Sequence, residues 1–479
     1  MLKSTSTNLI LPLLASGCLF LSACGGSSGD SGTQAGQSTT GGGPESTVSP
    51  AGPTLGGDDD EPEIPAGDDE RPMYVTPRGT VPCSIEDING RIDFDMRDYY
   101  IYYDQVPSIE SAEFDRPEDV IRALRVDPDI YSFVADTEER DTLVEEGRIV
   151  AFGFSFSPAS DGVVRFREVL DGSPAESAGL LRGDELIRLN GNLIGNYSDE
   201  ELGELLGEDA LPISMEVRTS DQPPRQITTL VRGEFRWRTA GPAIVLNADD
   251  LPTVGLLPVK RFLETTEAEI DASIRFLAES GIDELIIDLR YNPGGRARVS
   301  RRLASQIIGS VSIGEPFLVR RWNEKYSERN STSTLEAAEP SLALSRVIVL
   351  LTEFSVSASE SFVNGLEPYM DVVVIGGRTK GKIFTSNSRD YCGKSINAMR
   401  SIRTNSVGVS VQGGIQPDCS VADDWTGAAA SVDDPLTSAA TTFIASGRCP
   451  GELSGITKAT SRSQSQGPSF FEDNLSFAE

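Results

Sequence analysis

Residues 346–366 read RVIVLLTEFSVSASESFVNGL, and this stretch decides the fold. It opens with an uninterrupted apolar run, turns polar, and then places Phe362, Val363 and Leu366 at helical spacing. A run that is apolar at every position, not at alternate ones, suits a strand covered on both faces. Ser357-Ala358-Ser359-Glu360 fits the S-x-x-E capping box that starts a helix. The same order recurs nearby: ELIIDLR (284–290) leads into YNPGG and RARVSRRLASQIIG, and DVVVIGG (371–377) is a further buried run. Buried strands alternating with helices predict a mainly parallel, helix-covered α/β core over 237–449.

The remaining chain divides by composition. Among 479 residues, Asp and Glu number 73 against 42 Lys and Arg, there is no histidine, and the formal charge is −31. That balance argues against nucleic acid, whose phosphates require clustered cations. The first residues, MLKSTSTNLILPLLASGCLFLSAC, have one basic residue before a short apolar run and read as a signal peptide over 1–23. Leu21-Ser22-Ala23-Cys24 resembles the lipobox of bacterial lipoproteins, which implies cleavage before Cys24 and lipidation of its thiol. Residues 24–80 are Gly/Ser-rich and then acidic (DDDEPEIPAGDDE), cannot bury a core, and read as a tether. A lipid and a tether place the folded part at a bacterial envelope surface, on the outer membrane facing periplasm or exterior. Residues 81–148 read as a small, mainly helical domain with a tyrosine cluster that serves packing, and 450–479 as a loose Ser-rich tail.

Cys18 leaves with the leader and Cys24 takes the lipid, so Cys83, Cys392, Cys419 and Cys449 remain. An even number in an exported chain predicts two disulfides in one of three pairings. Cys392 with Cys419, which flank one short stretch, and Cys83 with Cys449, near the ends of the folded part, is the favoured arrangement. No C-x-x-C and no histidine are present, so neither a zinc site nor any cofactor is expected.

Residues 149–236 hold short β-type runs around GSPAESAGLLRGDELIRLNG (172–191). Through Gly172, Pro174, Ala175, Ala178, Gly179, Gly183, Asp184 and Gly191 this segment resembles a PDZ domain. The resemblance implies a loop that captures a peptide C-terminus, here Gly153-Phe154-Ser155-Phe156, with Ser155 where many relatives have Gly.

The chemistry follows by exclusion. Ser-His-Asp catalysis needs an imidazole, and no serine stands three residues before any lysine, which removes the Ser-x-x-Lys arrangement. A reactive serine must recruit a lysine from elsewhere in the fold, desolvated enough to be neutral near working pH. Lys382 is the better base, with Gly381 allowing close approach and Ile383 and Phe384 supplying apolar surroundings; Lys380, near Arg378, reads as a solvated charge. Gly376–Lys382 also fits the G-x-x-x-x-G-K start of a phosphate-binding loop, but the next position is Ile383 where Ser or Thr would hold magnesium.

Three elements in order, Asp288-Leu289-Arg290-Tyr291-Asn292-Pro293-Gly294-Gly295, Ser357-Ala358-Ser359-Glu360 and Thr379-Lys380-Gly381-Lys382, resemble the C-terminal processing peptidases, or tail-specific proteases. Cys392 and Pro417-Asp418-Cys419 resemble a lipoprotein branch of that family. The resemblance implies a ClpP/crotonase-like core with an inserted PDZ domain. It also implies a Ser357 nucleophile with Lys382 as general base 25 residues on, and an exported serine endopeptidase acting on protein or peptide substrates through exposed C-termini. The oxyanion donors would be the Ala358 N–H and a glycine N–H, Gly294 or Gly295. Positions that hold Gln or Asp in some relatives are Ser386 and Pro368, so the third catalytic member is absent or different, with Ser386 and Asn387 as candidates. Ser355 and Ser361 read as ordinary polar positions. Two other readings stay open: an inactive relative using its PDZ domain as a peptide-binding adaptor, and an interaction lipoprotein whose serine box only caps a helix.

Overall fold

The computed structural model describes residues 84–159, 161–207, 210–246, 252–425 and 429–451. The leader, Cys24, the acidic tether, Cys83 and the tail beyond 451 lie outside the described residues.

Six strands form the central sheet, in the spatial order Ile244–Leu246, Val254–Pro258, Glu284–Asp288, Arg346–Leu351, Asp371–Gly376 and Cys419–Ser420. Only the first pair is antiparallel. The period-2 pleat explains the continuous apolar runs. Val347, Val349 and Leu351 face one layer with the helices Glu264–Glu279, Ala297–Ile308 and Ala358–Leu366. Ile348 and Leu350 face the other, against Leu436, Ala440 and Phe443 of the helix Pro435–Ser446. Both faces are dry from Val347 to Leu351, so those positions leave no place for a polar side chain; Arg346, at the strand's start, pairs with Glu284.

A second sheet is antiparallel, ordered Ser331–Thr334, Pro316–Trp322, Met399–Asn405, Phe384–Ser386. The helices Ile85–Asp98 and Pro117–Leu124 do not bury their apolar faces only on each other. Ile92, Met96, Val120 and Leu124 share one core with Phe384, Ile396 and Met399, far along the chain. Tyr100 is fully buried there and donates to Asp129 Oδ2 at 2.8 Å, so the tyrosine cluster does pack.

The β-rich segment is entered and left through one two-stranded ladder, Arg148–Ala151 against Gly233–Arg236. Between them runs an antiparallel sheet with its own core, and the strand Phe154–Pro158 stands at its edge. The segment meets the central core through Arg182, whose guanidinium donates to Tyr291 and to Asp423. Arg290, fully buried, pairs with Asp288 and makes a bidentate contact at 2.6 and 2.7 Å to Asp434, the N-cap of the last helix. The Asp-Leu-Arg element is therefore an internal tie between strand ends and the C-terminal helix.

The disulfide pairing departs from the expected one. Cys419 is bonded to Cys449, 30 residues away, with Cα atoms 5.3 Å apart. Cys392 is itself disulfide-bonded, but not to Cys419. Cys392 lies at the turn between Arg389–Tyr391 and Lys394–Asn397, in the sheet that packs on the first helices, whereas Cys419 sits on the edge of the central sheet beside the last helix. Sequence proximity did not translate into spatial proximity. A non-reducing digest is expected to yield the Cys419 and Cys449 peptides joined. Replacing both cysteines by Ser should lower stability by about 2–4 kcal/mol in denaturant titration. A peptide linking Cys392 to Cys419 would contradict this topology.

Candidate active site

Three adjacent parallel strands end on the same side, and each delivers one loop. Glu284–Asp288 leads to the turn at 289–295, Arg346–Leu351 to the serine turn, and Asp371–Gly376 to the loop carrying Lys382. The carboxyl ends of parallel strands are where open α/β sheets bind ligands, because helix N-termini and loops converge there.

Ser357 sits at the N-cap of the helix Ala358–Leu366 with φ 59° and ψ −110°. A non-glycine residue in this region is strained by about 1–3 kcal/mol. Only the backbone half of the expected capping box is fixed: the Ser357 N–H donates to Glu360 Oε2 at 2.8 Å, while the Ser357 hydroxyl makes no capping bond. The hydroxyl is thus not spent on starting the helix. The adjacent serines are spent. Ser355, expected as an ordinary polar position, is fully buried; its Oγ donates to the Leu289 carbonyl at 2.8 Å and accepts from the Thr352 N–H at 2.9 Å. Ser359 Oγ donates to the Asn292 carbonyl at 2.9 Å. These bonds fasten the serine turn to the 289–295 turn on both sides of Ser357.

The glycines explain how closely those turns approach. Gly294 has φ 105°, and a Cβ there would lie 2.8 Å from Ser357 Cβ and 3.0 Å from the Ala358 nitrogen. Gly295 has φ 135°, and a Cβ would collide with the Phe262 carbonyl. The Gly294 N–H is already used, donating to Asn292 Oδ1 at 2.8 Å. The Phe262–Gly295 bridge is made by the Phe262 and Arg296 N–H groups, not by that of Gly295.

Glu360 joins the two halves of the site. It is fully buried, and its Oε2 accepts from the N–H groups of Ser357 and, at 3.0 Å, Lys382. Its Oε1 accepts from Thr379 Oγ1 at 2.5 Å and the Gly381 N–H at 2.6 Å. Burial pushes its carboxyl pKa up, against these four hydrogen bonds that pull it down.

Lys382 is half-buried, and its pKa falls to about 8, first because burial desolvates the ammonium. Asp129 and Glu360 oppose that fall, while Arg403 and Arg261 add to it. The ammonium lies 4.9 Å from the centroid of the Tyr131 ring. Among the described residues no hydrogen bond joins it to the Ser357 hydroxyl. Lys380 is exposed, as expected. The phosphate-loop alternative fails, because Gly376–Lys382 is followed by the strand Phe384–Ser386 and not by a helix. Asn387 Oδ1 accepts from Arg320. Asp129 and Tyr131, which sequence reasoning missed, come instead from the N-terminal part. No local pattern around 126–132 signals a role some 250 residues away.

The Gly153-Phe154-Ser155-Phe156 stretch is not part of this cluster. Gly153 has φ 86°, the edge strand begins at Phe154, and the Phe154 and Phe156 rings pack on Phe166. A cavity of about 860 Å³ opens where the β-rich segment meets the core, lined by residues including Arg167, Arg182, Lys260 and Tyr291 but by neither Ser357 nor Lys382. Among the described residues no group of three or more His, Cys, Asp or Glu could hold a metal ion, and no helix is long and apolar enough to cross a membrane.

Residues 253–421 match the model of Peptidase family S41, and residues 87–133 that of the Peptidase S41 N-terminal domain. A "Probable CtpA-like serine protease" of Staphylococcus haemolyticus is 23% identical over 299 residues, covering 61% of this chain and 57% of the relative. One of the same description from Staphylococcus aureus strain N315 is 23% identical over 269 residues, covering 55% and 51%. The chain therefore spans just over half the length of these curated relatives. The crystal structure of a "Putative S41 protease" from Bacteroides fragilis superposes with a TM-score of 0.61 at 21% identity, covering 75% of this chain and 97% of that one, which is a likeness of fold.

The strain at Ser357 is testable without an activity assay. Ser357→Gly should raise the denaturation midpoint, with a gain in unfolding free energy of up to about 1 kcal/mol, since glycine tolerates positive φ. An unchanged or lowered midpoint would contradict stored strain at this turn.

Proposed function

With a Peptidase family S41 region over residues 253–421 as the premise, we propose that this chain is a serine endopeptidase working through a Ser357–Lys382 dyad. The observation that carries the reading is the shared Glu360 carboxylate, which holds the backbones of Ser357 and Lys382 through one side chain. The absence of histidine leaves a desolvated lysine as the base available to a serine.

The ammonium resting against Tyr131 describes a resting arrangement, and the working dyad needs a rotation of the lysine side chain toward Ser357. Catalytic hydrogen bonds are commonly long or unmade before substrate binds. Neutral Lys382 then takes the hydroxyl proton as Oγ attacks the peptide carbonyl. The lysine returns that proton to the leaving amine, and water releases the acyl group by the same route. The oxyanion donors are assigned to the N–H groups of Ala358 and Gly295, because that of Gly294 is committed to Asn292.

The β-rich segment is read as a PDZ domain that recognises substrate C-termini or gates access. Its support is the open edge strand after Gly153 and a direct line to the site: the Arg167 guanidinium stacks 3.7 Å from the centroid of Phe354, three residues before Ser357. Protein or peptide substrates follow from the reaction. The leader and Cys24 are read as placing the enzyme on a lipid anchor at the bacterial envelope.

Ser357→Ala is expected to lower cleavage of an unstructured protein by roughly three orders of magnitude or more, with the fold intact by circular dichroism. Unchanged cleavage would remove the dyad, and no cleavage by a folded wild type would favour the adaptor reading. A lysine that must be neutral makes kcat/KM rise with pH through about 8 and level off above. Asp129 supports the charged form, so Asp129→Asn moves the midpoint to lower pH. Arg403 opposes it, so Arg403→Gln moves the midpoint higher. Shifts of the same sign would show that another group titrates.

A further inference from the structure

Gly295 lines a second cavity, of about 110 Å³, and five arginines line it too: Arg296, Arg298, Arg301, Arg320 and Arg403. No Asp or Glu is among its lining residues. The carboxylates that pair with the first three stand outside the lining: Glu264 with Arg296 and Arg298, Glu267 with Arg298, and Glu336 with Arg301. Arg320 is buried and donates to neutral oxygens, Ser401 Oγ at 2.9 Å and Asn387 Oδ1. Carboxylates stand behind three of the five guanidinium groups, so what the cavity itself is lined by is cationic and neutral groups, in a chain with a formal charge of −31. A guanidinium fork matches the planar oxygen pairs of carboxylates and phosphates, and of these a peptide substrate carries carboxylates.

The cavity adjoins the site already described. Gly295 is shared with the assigned oxyanion turn, and the Arg403 N–H donates to the carbonyl of Ile383, the residue after Lys382, at 3.0 Å. A substrate group that enters it while a peptide bond lies over Ser357 would come from the residues near that bond, since Gly295 borders both. We propose that this cavity is a subsite for a substrate carboxylate, carried by an Asp or Glu flanking the scissile bond or by a nearby free C-terminus. The inference rests on the peptidase reading above. Ser386 and Asn387 then form the polar rim of this subsite instead of completing the dyad.

The test uses the full chain and one peptide scaffold, with Glu or Gln walked across the positions flanking the cleaved bond, each with a free or an amidated C-terminus. The expected result is a preference of about tenfold or more in kcat/KM, the size of a charge-assisted hydrogen bond gained. Glu over Gln at one position identifies a side chain as the source; free over amidated identifies the terminus. Arg320→Gln should bring that ratio toward one, and Arg320→Lys should keep part of it. The wild-type ratios stand on their own if the Arg320 variants fail to fold. Ser357-dependent cleavage with all ratios within about twofold overturns the subsite alone, as does a preference untouched by folded Arg320→Gln. Absence of Ser357-dependent cleavage overturns the peptidase reading and the subsite with it.

Discussion

One buried carboxylate holds the candidate site together. Glu360 has no contact with solvent, and its two oxygens accept from four donors on two separate loops. In a low-dielectric interior such bonds are strong when complete, and each donor left unpaired is expensive. The carboxylate thus fixes the distance between the backbone of Ser357 and that of Lys382, whatever rotamers the two side chains adopt. Its partners extend the brace: Thr379 Oγ1 also accepts from the Ile415 N–H, and the Asn292 turn is tied to the serine turn through Val356 and Ser359.

Around that brace the site runs against stability. Ser357 holds a positive φ, and Lys382 keeps an amine where desolvation lowers its pKa to about 8. The sheet tolerates both because its strands are buried on two faces and its ends are tied down separately, Arg290 to Asp288 and Asp434, Cys419 to Cys449. Rigid strand ends with strained, polar loops above them put reactive groups where a substrate can reach them.

What was legible in the sequence follows the range of the interactions. The buried strands were legible because two covered faces leave an unmistakable apolar run. Ser357 and Lys382 stood out because the missing histidine narrowed the chemistry and three motifs fell in order. The role of Ser355 was not legible, because its partner, the Leu289 carbonyl, belongs to another strand end. That the Gly294 N–H is engaged depends on where the Asn292 side chain points, which no local pattern reveals. Asp129 and Tyr131 reach the lysine from the other end of the chain, and Cys419 meets Cys449 across a helix that the spacing of cysteines does not reveal. Each of these last is a contact between elements distant in sequence, whereas the buried strands are a pattern within one element.

The most direct test of this account is the activity and fold of Glu360→Gln. An amide has one acceptor oxygen, so its NH2 must face either the Ser357 and Lys382 N–H groups or the Gly381 N–H beside Thr379, and at least one backbone N–H loses its acceptor. Glu360→Gln should keep its far-ultraviolet circular dichroism while kcat/KM on an unstructured substrate falls by roughly a hundredfold or more. Wild-type rates in folded Glu360→Gln would contradict the claim that this carboxylate sets the geometry of the site.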